Sequence, residues 1–130
     1  MSDSSPGDAP WRALRGQRAE DLAARHLRRR GCVILGRNVR VGHLELDIVA
    51  RDVDAVVVVE VRARGKGAWT RPLATIDRAK RDKLRRAATL LWRRRWSRWR
   101  WAQRVRFDVV SVHLDTGGAP ALHHVRAAFV

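Results

Sequence analysis

Apolar and polar positions change rhythm along the chain, and the changes divide it into two helices and five strands. Ala19, Leu22, Ala23, His26 and Leu27 recur at the spacing of one buried helical stripe. They predict a helix from about Trp11 to Arg30, with Gly31 as the left-handed cap that ends it. Cys32–Val39 reads as a first strand, and Asn38 and Gly42 as the turn into a second. Leu44–Arg64 reads as two strands joined at Asp52–Asp54. Gly65–Pro72 is a loop. A second helix is expected from an N-cap at Thr75, with Ile76, Ala79, Leu84, Ala87, Ala88 and Leu91 on its apolar face. Arg104–Asp115 alternates as a fourth strand, Thr116–Pro120 is a turn, and His123–Val130 is a short edge strand. The order helix, three strands, helix, two strands predicts one α/β domain over residues 11–130, behind a polar tail at 1–10.

Alternation places Glu45 and Asp47 on one face of their strand, and Leu44, Leu46, Ile48 and Ala50 on the other. On the next strand Val56, Val58, Glu60 and Arg62 share a face, opposite Val57, Val59 and Val61. Four consecutive valines predict a strand buried on both sides. A carboxylate directly after such a run is costly unless it is paired or binds a cation. Asp47 and Glu60 flank a tight connection, so two acids can meet on one face and offer oxygens to a hard divalent cation. The plainer reading is a structural Glu60–Arg62 ion pair. Glu20, at the edge of the helical stripe, can reach toward these acids or pair with a neighbouring Arg. Lys80 and Lys83 fall on the apolar sector of the second helix, which points them at the acidic face or requires their stems to snorkel out. His26 reads as a packed histidine. His123 and His124 face opposite ways on a strand and cannot share a metal.

The 130-residue chain has a formal charge of +15, which calls for a polyanionic partner, nucleic acid first and an anionic membrane surface second. Arg40 beside the turn, Arg64 at the end of the third strand, Lys66 in the loop, and Lys80 and Lys83 are the candidate phosphate contacts. Trp92–Trp101 interleaves Arg and Trp. Three readings stay open for it: base stacking on nucleic acid, a membrane interface, or a helix break near Ser97 that folds the indoles into the core. A single cysteine, Cys32, excludes an intramolecular disulfide and a cysteine zinc site. There is neither a signal-like start nor an apolar run of bilayer length, so the expectation is a cytoplasmic protein with no integral membrane segment.

An ordered series of motifs resembles the YraN-like family of bacterial proteins. It comprises Gly16-x-x-Ala19-Glu20, Gly31 with Ile34-Leu35-x-Arg37-Asn38-x-Arg40, Glu45-Leu46-Asp47-Ile48-Val49-Ala50-Arg51, Val59-Glu60-Val61-Arg62-x-Arg64, Lys80-x-x-Lys83-Leu84-x-x-Ala87-Ala88 and Arg106-Phe107-Asp108-Val109-Val110. The match runs from about Arg15 to Val112. The resemblance implies a restriction-endonuclease-like core, a mixed sheet of about five strands flanked by two main helices, similar to Holliday junction resolvases. It implies Asp47 and Glu60 as ligands of Mg²⁺ or Mn²⁺, Glu45 and Glu20 as accessory acids, DNA as the partner, and a homodimer. Position 62 would be the catalytic lysine, but here it is Arg62, which stays charged and cannot act as a general base. Leu44 also stands where the family has glycine. Two functions follow as alternatives: a metal-dependent endonuclease acting on branched or structured DNA, or a non-catalytic nucleic-acid-binding module on a nuclease scaffold.

Overall fold

The computed structural model describes residues 8–64, 76–114 and 117–129, with side chains from residue 14 onward, Arg15 excepted. Helix α1 spans Asp8–Arg29 and starts earlier than the periodicity suggested. Pro10 is tolerated in a first turn, where its missing N–H has no intrahelical partner. Gly31 ends the helix at φ 91° as expected. Strands β1 (Val33–Val41), β2 (Leu44–Asp52) and β3 (Ala55–Arg64) follow as an antiparallel meander. Helix α2 (Arg78–Arg94) and a 3₁₀ turn (Trp96–Arg98) carry the chain to β4 (Arg104–His113) and β5 (Ala121–Phe129). The sheet order is β1-β2-β3-β4-β5. Among the described strands only β3 and β4 pair in parallel, joined through α2, while β4 and β5 are antiparallel.

Two cores hold the layers together. Ala19, Ala23, Ala24 and Leu27 of α1 pack on Ile48, Ala50, Val57, Val59 and Val110. Leu84, Ala87, Ala88 and Leu91 of α2 pack on Leu46, Val49, Val56, Val58 and Val109. The valine run of β3 is thus buried on both faces, as its composition required. Burying it fully contributes roughly 1.5–3 kcal/mol per valine.

Three local expectations are corrected. Asn38 does not sit in a turn; it lies inside β1 with φ 52°, and the turn is at Gly42 and His43. The cap of α2 is Asp77, whose carboxylate accepts from the Lys80 amide at 2.8 Å; Thr75 and the loop with Lys66 lie outside the described residues. Finally, Leu44 and Leu46 do not share a face with Ile48 and Ala50. The first two pack on the α2 side and the second two on the α1 side. The β2–β3 ladder runs only from Asp52↔Ala55 to Ile48↔Val59. Beyond it β2 rolls over at Asp47, and alternation across that point loses its phase.

The tryptophan stretch folds back. Helix α2 stops at Arg94, Trp96 is 2% exposed in the 3₁₀ turn, and Trp92, Trp99 and Trp101 pack against the same core. Trp99 and Trp101 stack at 5.3 Å, and the Arg51 guanidinium lies 4.4 Å over the Trp101 ring. The arginines between the indoles face outward, which reconciles a basic sequence with an apolar role.

Replacing Trp96 with Ala leaves a large void beneath α2 and is expected to cost about 3–5 kcal/mol. A urea unfolding curve checks this, and a loss under about 1 kcal/mol would contradict the burial of Trp96.

Candidate functional site

The break in the β2–β3 ladder builds the site. Where pairing stops, the Asp47 carboxylate takes the place of a strand partner and accepts the Val61 amide at 2.8 Å. This fixes Asp47 beside Glu60, one residue earlier on β3. Glu60 lies on the α2 face with Val56 and Val58, by the alternation of β3. From α2, Lys80 brings its Nζ to 3.9 Å from Glu60 Oε2. Arg62, two residues along the same face, adds a second positive charge near Glu60. The acids thus stand at the carboxyl end of β3, where open α/β sheets bind ligands.

Burial governs their electrostatics. It raises Glu60 to about 7, helped by the Asp47 charge and opposed by Lys80. It also raises Asp47, against the lowering effect of the Val61 amide. The protonated Glu60 carboxyl donates a hydrogen bond to Asp47, so the pair shares one proton near neutrality.

A second pair of acids borders the first. Glu20 of α1 accepts from Arg37 Nη2 at 3.4 Å, and Arg37 also holds Asp21 at 2.7 Å. With its amide nitrogen turned toward the acids, Asn38 donates to Glu45 Oε1 at 2.8 Å and to Glu20 Oε2 at 3.1 Å. The left-handed backbone of Asn38 puts the amide there, a conformation Asn tolerates better than most residues. Burial raises Glu20, and the charges of Asp47 and Glu45 push the same way. The outer pair borders an open cleft lined by Gly16, Gln17 and Asp21.

The other sequence-selected residues spread out. Arg40 is largely exposed, 3.9 Å from Glu45. Arg64 is half-buried at the end of β3. Lys83 is exposed one turn beyond Lys80 and lines a neighbouring groove. Sequence reasoning gave Arg37 and Asn38 no site role. The available signal was the tolerance of Asn for positive φ, in a segment that faces Glu45 across the β1–β2 ladder. Among the described residues, no group of three His, Cys, Asp or Glu side chains has the geometry to hold a metal ion.

The donor set nonetheless fits a hard divalent cation. Mg²⁺ is held by one or two carboxylates and keeps several waters, and Asp47 with Glu60 offers two carboxylates whose negative charge is under-compensated. Asp47 and Glu60 would hold the ion, with Glu45 and Glu20 as outer acids.

A mixed five-stranded sheet between two helices, with paired acids at the carboxyl end of its parallel strand, matches the restriction-endonuclease-like core that the motifs implied. The model of the uncharacterised protein family UPF0102 matches residues 19–112, and the chain belongs to that family, the YraN family. It is 44% identical to a UPF0102 protein of Sorangium cellulosum over 128 residues, 98% of this chain and 88% of the relative. A UPF0102 protein of Pseudomonas aeruginosa is 45% identical over 107 residues, 82% of this chain and 83% of that one. One from Nocardia farcinica is 39% identical over 114 residues, covering 88% and 87%.

Glu60 makes stability depend on pH. Its folded-state pKa lies above its ordinary value, so the folded chain keeps a proton the unfolded chain has released. Its contribution is therefore intact below about pH 4 and is lost as pH rises toward 7. Glu60→Gln is expected to stabilise the protein at pH 8 by up to ~3 kcal/mol, and to have no effect near pH 4. Urea unfolding at the two pH values reads this, and an equal effect at both would contradict the shared proton.

Proposed function

We propose that the protein binds DNA and hydrolyses phosphodiester bonds in branched or structured DNA, using Asp47 and Glu60 to hold Mg²⁺ or Mn²⁺. The carrying observation is a half-buried, under-compensated carboxylate pair at a strand end in a chain of charge +15. A cation bound there would polarise the scissile phosphate and lower the pKa of an attacking water. Lys80 and Arg62 flank the pair and are placed to stabilise charge that builds on the phosphate. Arg40, Arg64, Lys66 and Lys83 would hold the backbone on either side, and such contacts are salt-sensitive. No described helix is long and apolar enough to cross a membrane, and the tryptophans pack against the α2-side core instead of forming an exposed row for a membrane interface. The reading carries a cytoplasmic location and a resolvase-like homodimer with it.

Arg62 motivates a second reading, a DNA- or RNA-binding module without cleavage. A guanidinium does not accept a proton at neutral pH, and on this reading the acids only steer the strand.

Cleavage of a labelled four-way junction, beside matched duplex and single strand, separates the two. With Mn²⁺ the first reading expects cutting that EDTA abolishes. Asp47→Ala should lower the rate by at least about a hundredfold while leaving affinity in EDTA within about threefold. Tight, salt-dependent binding without cutting in any metal would favour the module, and Arg62→Lys would then test whether the lysine is what is missing.

A further inference from the structure

Beside the acid pair lies a groove of ≈ 510 Å³ between the β1–β2 turn and α2. Its walls are Val41, Leu44, Ala87 and Leu90, and His43, Lys83 and Arg86 line it with them. His43, Lys83 and Arg86 are exposed, and no ion pair involving Lys83 or Arg86 is present among the described residues. The groove has the size of a small-molecule site.

Its position ties it to the acids. Leu44 packs on the α2 side of the sheet, the face that carries Glu60. It lies three residues before Asp47, about 10 Å along the strand. Lys83 stands one helical turn beyond Lys80, which is 3.9 Å from Glu60. A strand crossing the acid pair along α2 therefore meets Lys83 and Arg86 next, with the apolar walls beneath them.

We propose that this groove is a subsite for an unpaired nucleotide next to the phosphate that passes the Asp47–Glu60 site beside Lys80, which rests on the nucleic-acid reading above and adds the recognition of unpaired DNA. A paired base hides its faces in the stack and offers nothing to aliphatic walls. An unpaired base has two apolar faces, which suit Val41, Leu44 and Leu90, and it stacks on imidazole or guanidinium planes such as His43 and Arg86. Lys83 and Arg86 meet the flanking phosphates. A second copy of the chain is a poorer occupant, because it would bring its own +15 charge against this cationic rim.

The experiment measures affinities in EDTA for a duplex and for the same duplex with a short single-stranded gap. The wild-type protein is expected to bind the gapped DNA about tenfold more tightly. His43→Ala, at an exposed turn, and Leu90→Trp, which fills the groove, should each reduce that preference to about twofold or less. Equal wild-type affinity for the two DNAs, or variants that weaken both equally, would overturn the subsite and leave the DNA-binding reading standing. If neither DNA binds, the DNA-binding reading itself falls, and the subsite with it. If Leu90→Trp splits a dimer in sedimentation while the preference survives, the groove is covered by a second copy and the proposal fails.

Discussion

The arrangement of this protein turns on one hydrogen bond, from the Val61 amide to the Asp47 carboxylate. A β-ladder ends where backbone groups lose their partners, and a buried amide without one is costly. Asp47 meets that need with its side chain. The same contact draws a second carboxylate against Glu60, where partial burial limits the solvation of both. The fold therefore retains a like-charged pair that a structure selected for stability alone would not favour. Lys80, Arg62 and a shared proton offset part of the cost. A divalent cation bound there would offset more of it, and that is the physical root of the proposed function.

The opposite face of the sheet, under α1, handles charge differently, although Asp108 stands beside Val59 in the β3–β4 ladder. Asp108 is fully buried, yet it accepts two bonds from Arg106, one from His124 and one from the Ala127 amide. Its carboxyl is held near 2 despite burial. His124 meets His26 of α1 at 3.1 Å, so one network ties β4, β5 and the first helix together. Arg106 and Arg126 also grip Asp52. Both Asp108 oxygens have donors. The contrast with Asp47 and Glu60 is electrostatic: donors hold Asp108 charged, whereas burial raises both Asp47 and Glu60.

Much of this architecture was legible in the chain. The valine run, the α1 stripe and the apolar face of α2 announced buried elements by periodicity alone, and Gly31 announced a helix end. Asp47 and Glu60 were visible because an acid beside a fully apolar strand needs a reason. The phase reversal at Asp47 was not visible. It arises because pairing with β3 stops there, a tertiary event that alternation assumes away. Asn38 looked like a turn residue because the conformation that suits turns also suits a mid-strand kink. Of the three readings of the tryptophan stretch, the structure bears out the helix break that folds the indoles back, although the break falls at Arg94 and Arg95, ahead of Ser97. The burial of Arg106 and Asp108 was not legible in the alternation of the fourth strand, since sequence cannot show that α1 and β5 enclose them.

The most direct test of the account is a calorimetric titration of the metal-free protein with Mn²⁺. The account predicts one ion bound per chain by the wild type, and binding lost in Asp47→Ala while its circular dichroism spectrum is unchanged. Absence of Mn²⁺ binding by the folded wild type, or binding that survives removal of the Asp47 carboxylate, would contradict the central claim that this pair of acids is a cation site.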